Sequence, residues 1–82
     1  MSRPLSVIAE EIIHDWPVAG DSYHPAGAYA VPMSTLESVH DSYGADSAAS
    51  IVRYFLANAQ GWRGETARRI KAELKTMVKG VY

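Results

Sequence analysis

The amino-acid sequence predicts an all-α fold, a small domain of three to four helices built on a C-terminal helical hairpin. Two stretches in the C-terminal half carry apolar residues at the three- and four-residue spacing of an amphipathic helix. Only Gly-Trp-Arg-Gly, residues 61–64, separates them, so the two helices should be neighbours. No segment sustains the alternation of a half-buried strand, and we expect no sheet.

The first predicted helix spans residues 6–16. Ser6 is a suitable N-cap, because its hydroxyl oxygen can accept a hydrogen bond from a free amide of the first turn. The helix should end at Trp16, since a residue that precedes a proline avoids the α conformation. Residues 17–33 hold three prolines and two glycines and are predicted to form a connector, with a short helix over about 25–30 as an alternative.

A short helix over residues 35–42 is predicted next. Ser34 and Glu37 have the spacing of a capping box, in which each side chain satisfies an amide of the other residue. Gly44 should end this helix, because glycine readily leaves the helical conformation.

The hairpin itself is predicted as helices over residues 47–60 and 65–79. Asp46 or Ser47 is the expected N-cap of the first helix. Gly61 and Gly80 are expected to close the two helices in the left-handed conformation.

Length and composition point to one small domain. The chain has 82 residues, a net charge of −1 and no cysteine, so a disulfide framework is excluded and a cytoplasmic location is expected. Alanine inflates its 48% hydrophobic content. The core should therefore be thin, and a homodimer would be compatible with it. No apolar run has the length of a membrane span, and no membrane partner is expected.

Trp62 and Arg63 lie in the predicted turn of the hairpin, and Trp62 has two interpretations. In the favoured one, its ring covers the open end of the hairpin core while the indole N–H finds a partner at the rim. In the other, Trp62 and Arg63 form an exposed anchor for a binding partner, since both residue types are enriched at interface hot spots.

The last predicted helix has a basic face. Arg68, Lys71, Lys75 and, one turn later, Lys79 follow at spacings of three and four residues, which places them on one side. Arg69 lies beside them, where it could pair with Glu65. A solvated surface is the common explanation of such a face, and the functional one is a footprint for nucleic acid or an acidic protein.

Catalytic chemistry is not expected. The histidines belong to no HExxH-type motif, and adjacent residues in the two His-Asp pairs point to different faces of a helix. A metal-dependent hydrolase that uses His14, His40 and nearby carboxylates is thus the weakest alternative. No phosphate loop with a Walker lysine and no nucleophile elbow occurs. We expect no enzyme activity, no metal and no cofactor.

Several stretches resemble a group of small proteins of unassigned function encoded by tailed phages and prophages of bacteria. The similarity is carried by residues 41–47, 50–59 and 62–75, and by Asp15-Trp16 at the end of the first helix. It covers about residues 6–16 and 41–79, whereas the connector departs from the family pattern. The resemblance implies a phage accessory protein that acts in the bacterial cytoplasm. Products of this kind are often small helical binders of host proteins or nucleic acid.

From these observations we predict a non-catalytic phage-type accessory protein that binds a host or phage macromolecule, with a protein as the favoured partner. The candidate binding residues are Trp62, Arg63, Arg68, Lys71 and Lys75. The alternative is a DNA-binding domain that uses the basic C-terminal helix for recognition.

Overall fold

The computed structural model describes residues 3–81 and confirms the predicted fold class, with 58% of these residues helical. The helices are α1 (Leu5–Asp15), α2 (Gly27–Met33), α3 (Ala48–Ala57) and α4 (Glu65–Val78), with a 3-10 turn at Pro17–Gly20. A two-stranded antiparallel ladder, β1 (Ser42–Tyr43) and β2 (Asp46–Ser47), precedes α3. None of the helices in this part of the chain is long and apolar enough to cross a membrane.

The apolar faces of all four helices meet in one core. Its largest fully buried side chains include Ile8 of α1, Met33 of α2, Phe55 of α3 and Ile70 of α4. Helix α3 packs most extensively against α2, and it also packs against α4. The scaffold of the fold is therefore the C-terminal hairpin together with α2, a helix that lies within the predicted connector.

Helix α1 begins at Leu5 and ends at Asp15, close to the predicted bounds. The prediction of Ser6 as N-cap is wrong, because Pro4 takes that position and no side chain caps the helix. The Ser6 hydroxyl instead donates to the Glu37 carboxylate at 3.2 Å, and the Leu5 amide donates to the Glu37 carbonyl at 2.9 Å. These contacts tie the start of α1 to the segment before the ladder.

The connector is more helical than predicted. The 3-10 turn begins at Pro17, and α2 extends to Met33 with Pro32 in its last turn, where the missing amide costs only one helical hydrogen bond. Gly27 is required by close packing, since a Cβ there would lie 1.8 Å from the Asp21 carbonyl oxygen. The short helix that the sequence left as an alternative is thus part of the fold, and one side of it, with Gly27, Ala30 and Met33, is buried in the core.

The predicted helix over residues 35–42 is wrong. The Ser34 hydroxyl donates to the Val31 carbonyl, so it caps no new helix. The Asp41 carboxylate accepts hydrogen bonds from the Glu37 amide at 2.9 Å and the Ser38 amide at 3.0 Å, which hold this segment in turns. The same two bonds lower the pKa of Asp41.

The expectation of no sheet is also wrong, although the ladder is only two residues long on each side. Ser42 pairs with Ser47 and Tyr43 with Asp46, around the two-residue turn at positions 44 and 45. Gly44 has a φ of +60°. Glycine at the first central position of such a turn is a hairpin signal.

Helix α3 starts as predicted, because the Ser47 hydroxyl oxygen accepts a hydrogen bond from the Ser50 amide at 3.1 Å. It ends three residues early, since the Asn58 side chain donates to the Tyr54 carbonyl at 2.8 Å and closes the last turn. Gly61 does not adopt positive φ, so its predicted role is wrong. The α3–α4 connection therefore spans seven residues, 58–64.

Helix α4 ends as expected. Its last helical residue is Val78, one before the predicted end, and Gly80 follows with a φ of +80°. This left-handed glycine after the helix confirms the predicted closing residue.

Candidate functional site

Trp62 lies in the connection between α3 and α4 and is only 2% exposed. Its ring stacks on Trp16 at 5.8 Å with 4° between the planes, and it meets Phe55 edge-on at 6.2 Å. The indole Nε1–H donates to Asp15 Oδ2 at 2.8 Å. We call the rings of Trp16, Phe55 and Trp62 the tryptophan cluster. The core-covering interpretation of Trp62 is confirmed, and Trp62 as an exposed anchor is wrong.

Three of the candidate basic residues meet at one groove. The groove has a volume of about 340 Å³ and lies between the connection and the first turns of α4. Arg63, Arg68 and Lys71 line it together with Gly64 and Ala67. Both arginines are exposed, so their guanidinium groups are available to a carboxylate or phosphate from outside.

Lys75 lies one turn further along α4 and is exposed, but it does not line this groove. It extends the positive charge along the same side of the helix. We refer to Arg63, Arg68, Lys71 and Lys75 as the basic face.

Lys71 also has a structural role. Its Nζ donates to the Trp62 carbonyl at 2.6 Å and lies 5.9 Å from the centre of the Trp62 ring. Burial lowers the pKa of Lys71, and the neighbouring charges of Lys75 and Arg63 lower it further. Lys71 therefore supports the connection as well as facing the groove.

Arg69 belongs to a different network. It pairs with Glu11 on α1 rather than with Glu65, so the predicted pair within α4 is wrong. Glu11 also pairs with Arg3 at 2.8 Å, and Arg3 bonds both oxygens of Glu73, at 2.7 and 3.0 Å. Arg3 and then Arg69 lower the pKa of Glu11. Across residues 3–81 the ion pairs all belong to this network, and none involves the basic face.

Sequence reasoning missed a second groove, of about 490 Å³, between α2, the ladder and α3. Tyr29, Tyr43 and Tyr54 line it with Pro32 and Asp46, and we call it the tyrosine groove. One signal was present in the sequence, because Tyr54 lies off the apolar stripe of its helix.

The histidines that could have served a metal site are not gathered. Between Arg3 and Val81, no three His, Cys, Asp or Glu side chains are grouped so that they could hold a metal ion.

No protein-family model matches the chain, and comparison with curated proteins and with solved structures gives no match either.

Proposed function

We propose that this chain is a non-catalytic interaction domain whose basic face binds an acidic segment of a partner protein. The observation that carries the proposal is the convergence of two exposed guanidinium groups, Arg63 and Arg68, with the Lys71 ammonium on one groove. Guanidinium groups bind carboxylates through paired hydrogen bonds. A segment rich in Glu or Asp would supply the carboxylates that complete this surface.

The buried position of Trp62 changes how the surface would work. Its ring and its carbonyl group hold Lys71, so the tryptophan supports the groove from below rather than reaching into the partner. A rigid floor reduces the entropy lost when a partner binds.

The biological setting of the proposal comes from the resemblance to small phage and prophage proteins. A phage accessory protein in the bacterial cytoplasm would meet host proteins with acidic surface segments. A homodimer remains compatible with the basic face, provided that the groove stays open.

DNA recognition by α4 is the weaker candidate. A helix-turn-helix joins its helices by three or four residues, whereas residues 58–64 separate α3 from α4. The first turn of α4 presents Glu65, which repels phosphate. The net charge of −1 also gives little general attraction to DNA.

The test is a calorimetric titration of the protein with a glutamate-rich peptide and, separately, with a DNA duplex of random sequence, each at two salt concentrations. We expect saturable binding of the peptide. Arg68→Glu should weaken it about tenfold or more. Lys79→Glu is the matched control, because it makes the same charge change at an exposed residue that does not line the groove.

Equal losses in Arg68→Glu and Lys79→Glu would show that the peptide senses only net charge, which contradicts the proposal. Preferential binding of the duplex with a steep salt dependence would favour the DNA alternative.

A further inference from the structure

The tyrosine groove shares no lining residue with the groove at the basic face. It is built from separate elements: Tyr29 and Pro32 from α2, Tyr43 and Asp46 from the ladder, and Tyr54 from α3. Its volume of about 490 Å³ is within the range of ligand-binding clefts. The function proposed above does not account for it.

The aromatic wall of the groove is exposed. Tyr43 is 46% exposed and Tyr54 52% exposed. The Tyr54 ring rests against Tyr29 at 5.4 Å with a tilt of 32°, and Tyr29 and Pro32 are three residues apart on one side of α2. Half-buried Tyr29 thus supports the exposed Tyr54 ring, and tyrosine side chains held in this way offer large contact area at low entropic cost.

A carboxylate stands beside this wall. Tyr43 and Asp46 are directly opposite one another across the ladder, so their side chains share one face of the ribbon. Asp46 is exposed, and in residues 3–81 no cation forms an ion pair with it. The groove thus combines apolar ring faces, hydroxyl donors and one negative charge.

We propose that the tyrosine groove binds a proline-rich segment in the polyproline II conformation, with a Lys or Arg of that segment placed against Asp46. Polyproline II has no internal hydrogen bonds, so its carbonyl groups remain free to accept from tyrosine hydroxyls. Proline has no amide N–H, so a proline-rich segment needs few acceptors from the groove, and the Asp46 carboxylate remains available for a Lys or Arg side chain. Aromatic-lined grooves are the usual receptors for such segments.

The test uses a short polyproline peptide that carries one arginine, titrated into isotopically labelled protein and followed by NMR. We expect saturable shifts of amides around Tyr29, Tyr43 and Tyr54, and a smaller effect from a Gly/Ser peptide of equal length. Tyr54→Ala should weaken the affinity about tenfold. The matched control is Tyr23→Ala, which removes a tyrosine that is 97% exposed and outside the groove.

The role of Asp46 is tested by charge exchange. Asp46→Lys should make the protein prefer a polyproline peptide that carries glutamate over the one that carries arginine. The circular dichroism of each variant must match that of the parent, which separates lost binding from lost fold. Arg68→Glu, which changes only the basic face, should bind the arginine peptide with the affinity of the parent protein. The two proposals can therefore fail independently of one another.

Three results would overturn the proposal. One is equal binding of the Gly/Ser peptide, and another is an unchanged affinity in Tyr54→Ala. The third is chemical-shift changes around the groove that depend on protein concentration and not on added peptide. They would show that a second copy of the chain occupies the groove.

Discussion

The tryptophan cluster and the tyrosine groove are two aromatic assemblies with opposite relations to solvent. In the cluster, Trp62 is buried and its one polar hydrogen is satisfied by Asp15. In the groove, Tyr43 and Tyr54 keep about half of their surface exposed. An indole with a single donor can be sealed into a core by one acceptor, whereas rings at a surface remain available for binding. A concentration of aromatic residues therefore does not by itself indicate a binding surface. The exposure of each ring and the hydrogen-bond partner of its polar group must also be known.

The largest expected effect separates the two assemblies by stability. Trp62→Ala should lower the free energy of unfolding by about 3–5 kcal/mol, because it leaves a cavity between Trp16 and Phe55. Tyr54→Ala should cost about 1 kcal/mol or less, since half of the ring is already in water. Urea denaturation followed by far-UV circular dichroism measures both.

Trp62→Phe refines this comparison, because it keeps an aromatic ring but removes the donor to Asp15. We expect a loss between those of the two alanine variants. Similar losses in Trp62→Ala and Tyr54→Ala would erase the distinction between a core cluster and a surface groove.

A smaller effect is expected at the turn that presents Tyr43 and Asp46 to the groove. Gly44→Ala should destabilise the protein by about 1 kcal/mol, because the φ of +60° strains any residue with a Cβ. Gly61→Ala is the control, since Gly61 has open space around it and lacks positive φ. Urea denaturation measures the cost, and NMR should show the change at the ladder. If the two variants lose equal stability, the ladder is not held by Gly44.

The smallest effect concerns the charges that join α1 to α4. The pKa of Glu11 is lower in the folded protein because of Arg3 and Arg69. Above the ordinary value of 4.5, Glu11 is ionised in both states and its contribution is complete. As the pH falls below that value the unfolded state gains a proton first, so stability declines until the lower folded pKa is passed.

Glu11→Gln should therefore cost less than about 1 kcal/mol at neutral pH and flatten the acid side of the stability curve. Thermal melts across acidic pH measure this, with Glu65→Gln as the control because Glu65 forms no ion pair among residues 3–81. An unchanged acid slope in Glu11→Gln would show that these ion pairs add no stability and would leave the shared apolar core as the link between the two helices.

Sequence reasoning succeeded where a feature depends on local geometry. Ser47 caps α3 and Gly80 closes α4 through bonds and φ angles set within a few residues, and the spacing of Arg68, Lys71 and Lys75 alone places them on one side of a helix. It failed over residues 35–42, where the carboxylate of Asp41 bonds the main chain into turns that compete with the capping box.

The two grooves differ in the same way. Most of the basic face is encoded in α4, and Arg63 lies two residues before that helix, so the face could be predicted from spacing. The tyrosine groove is assembled from α2, the ladder and α3, which are brought together only by tertiary packing. No single stretch of sequence contains it.

The stacking of Trp16 on Trp62 has a consequence for optical spectroscopy. The chain contains only these two tryptophans, and their rings are parallel within 4° at 5.8 Å. Their excited states should couple and give a near-ultraviolet circular dichroism band that vanishes when the pair separates. Tryptophan fluorescence then reports only on the tryptophan cluster, since it contains both tryptophans. Tyrosine absorption includes the three tyrosines of the groove. One unlabelled sample thus carries separate optical signals from its core and from the tyrosine groove.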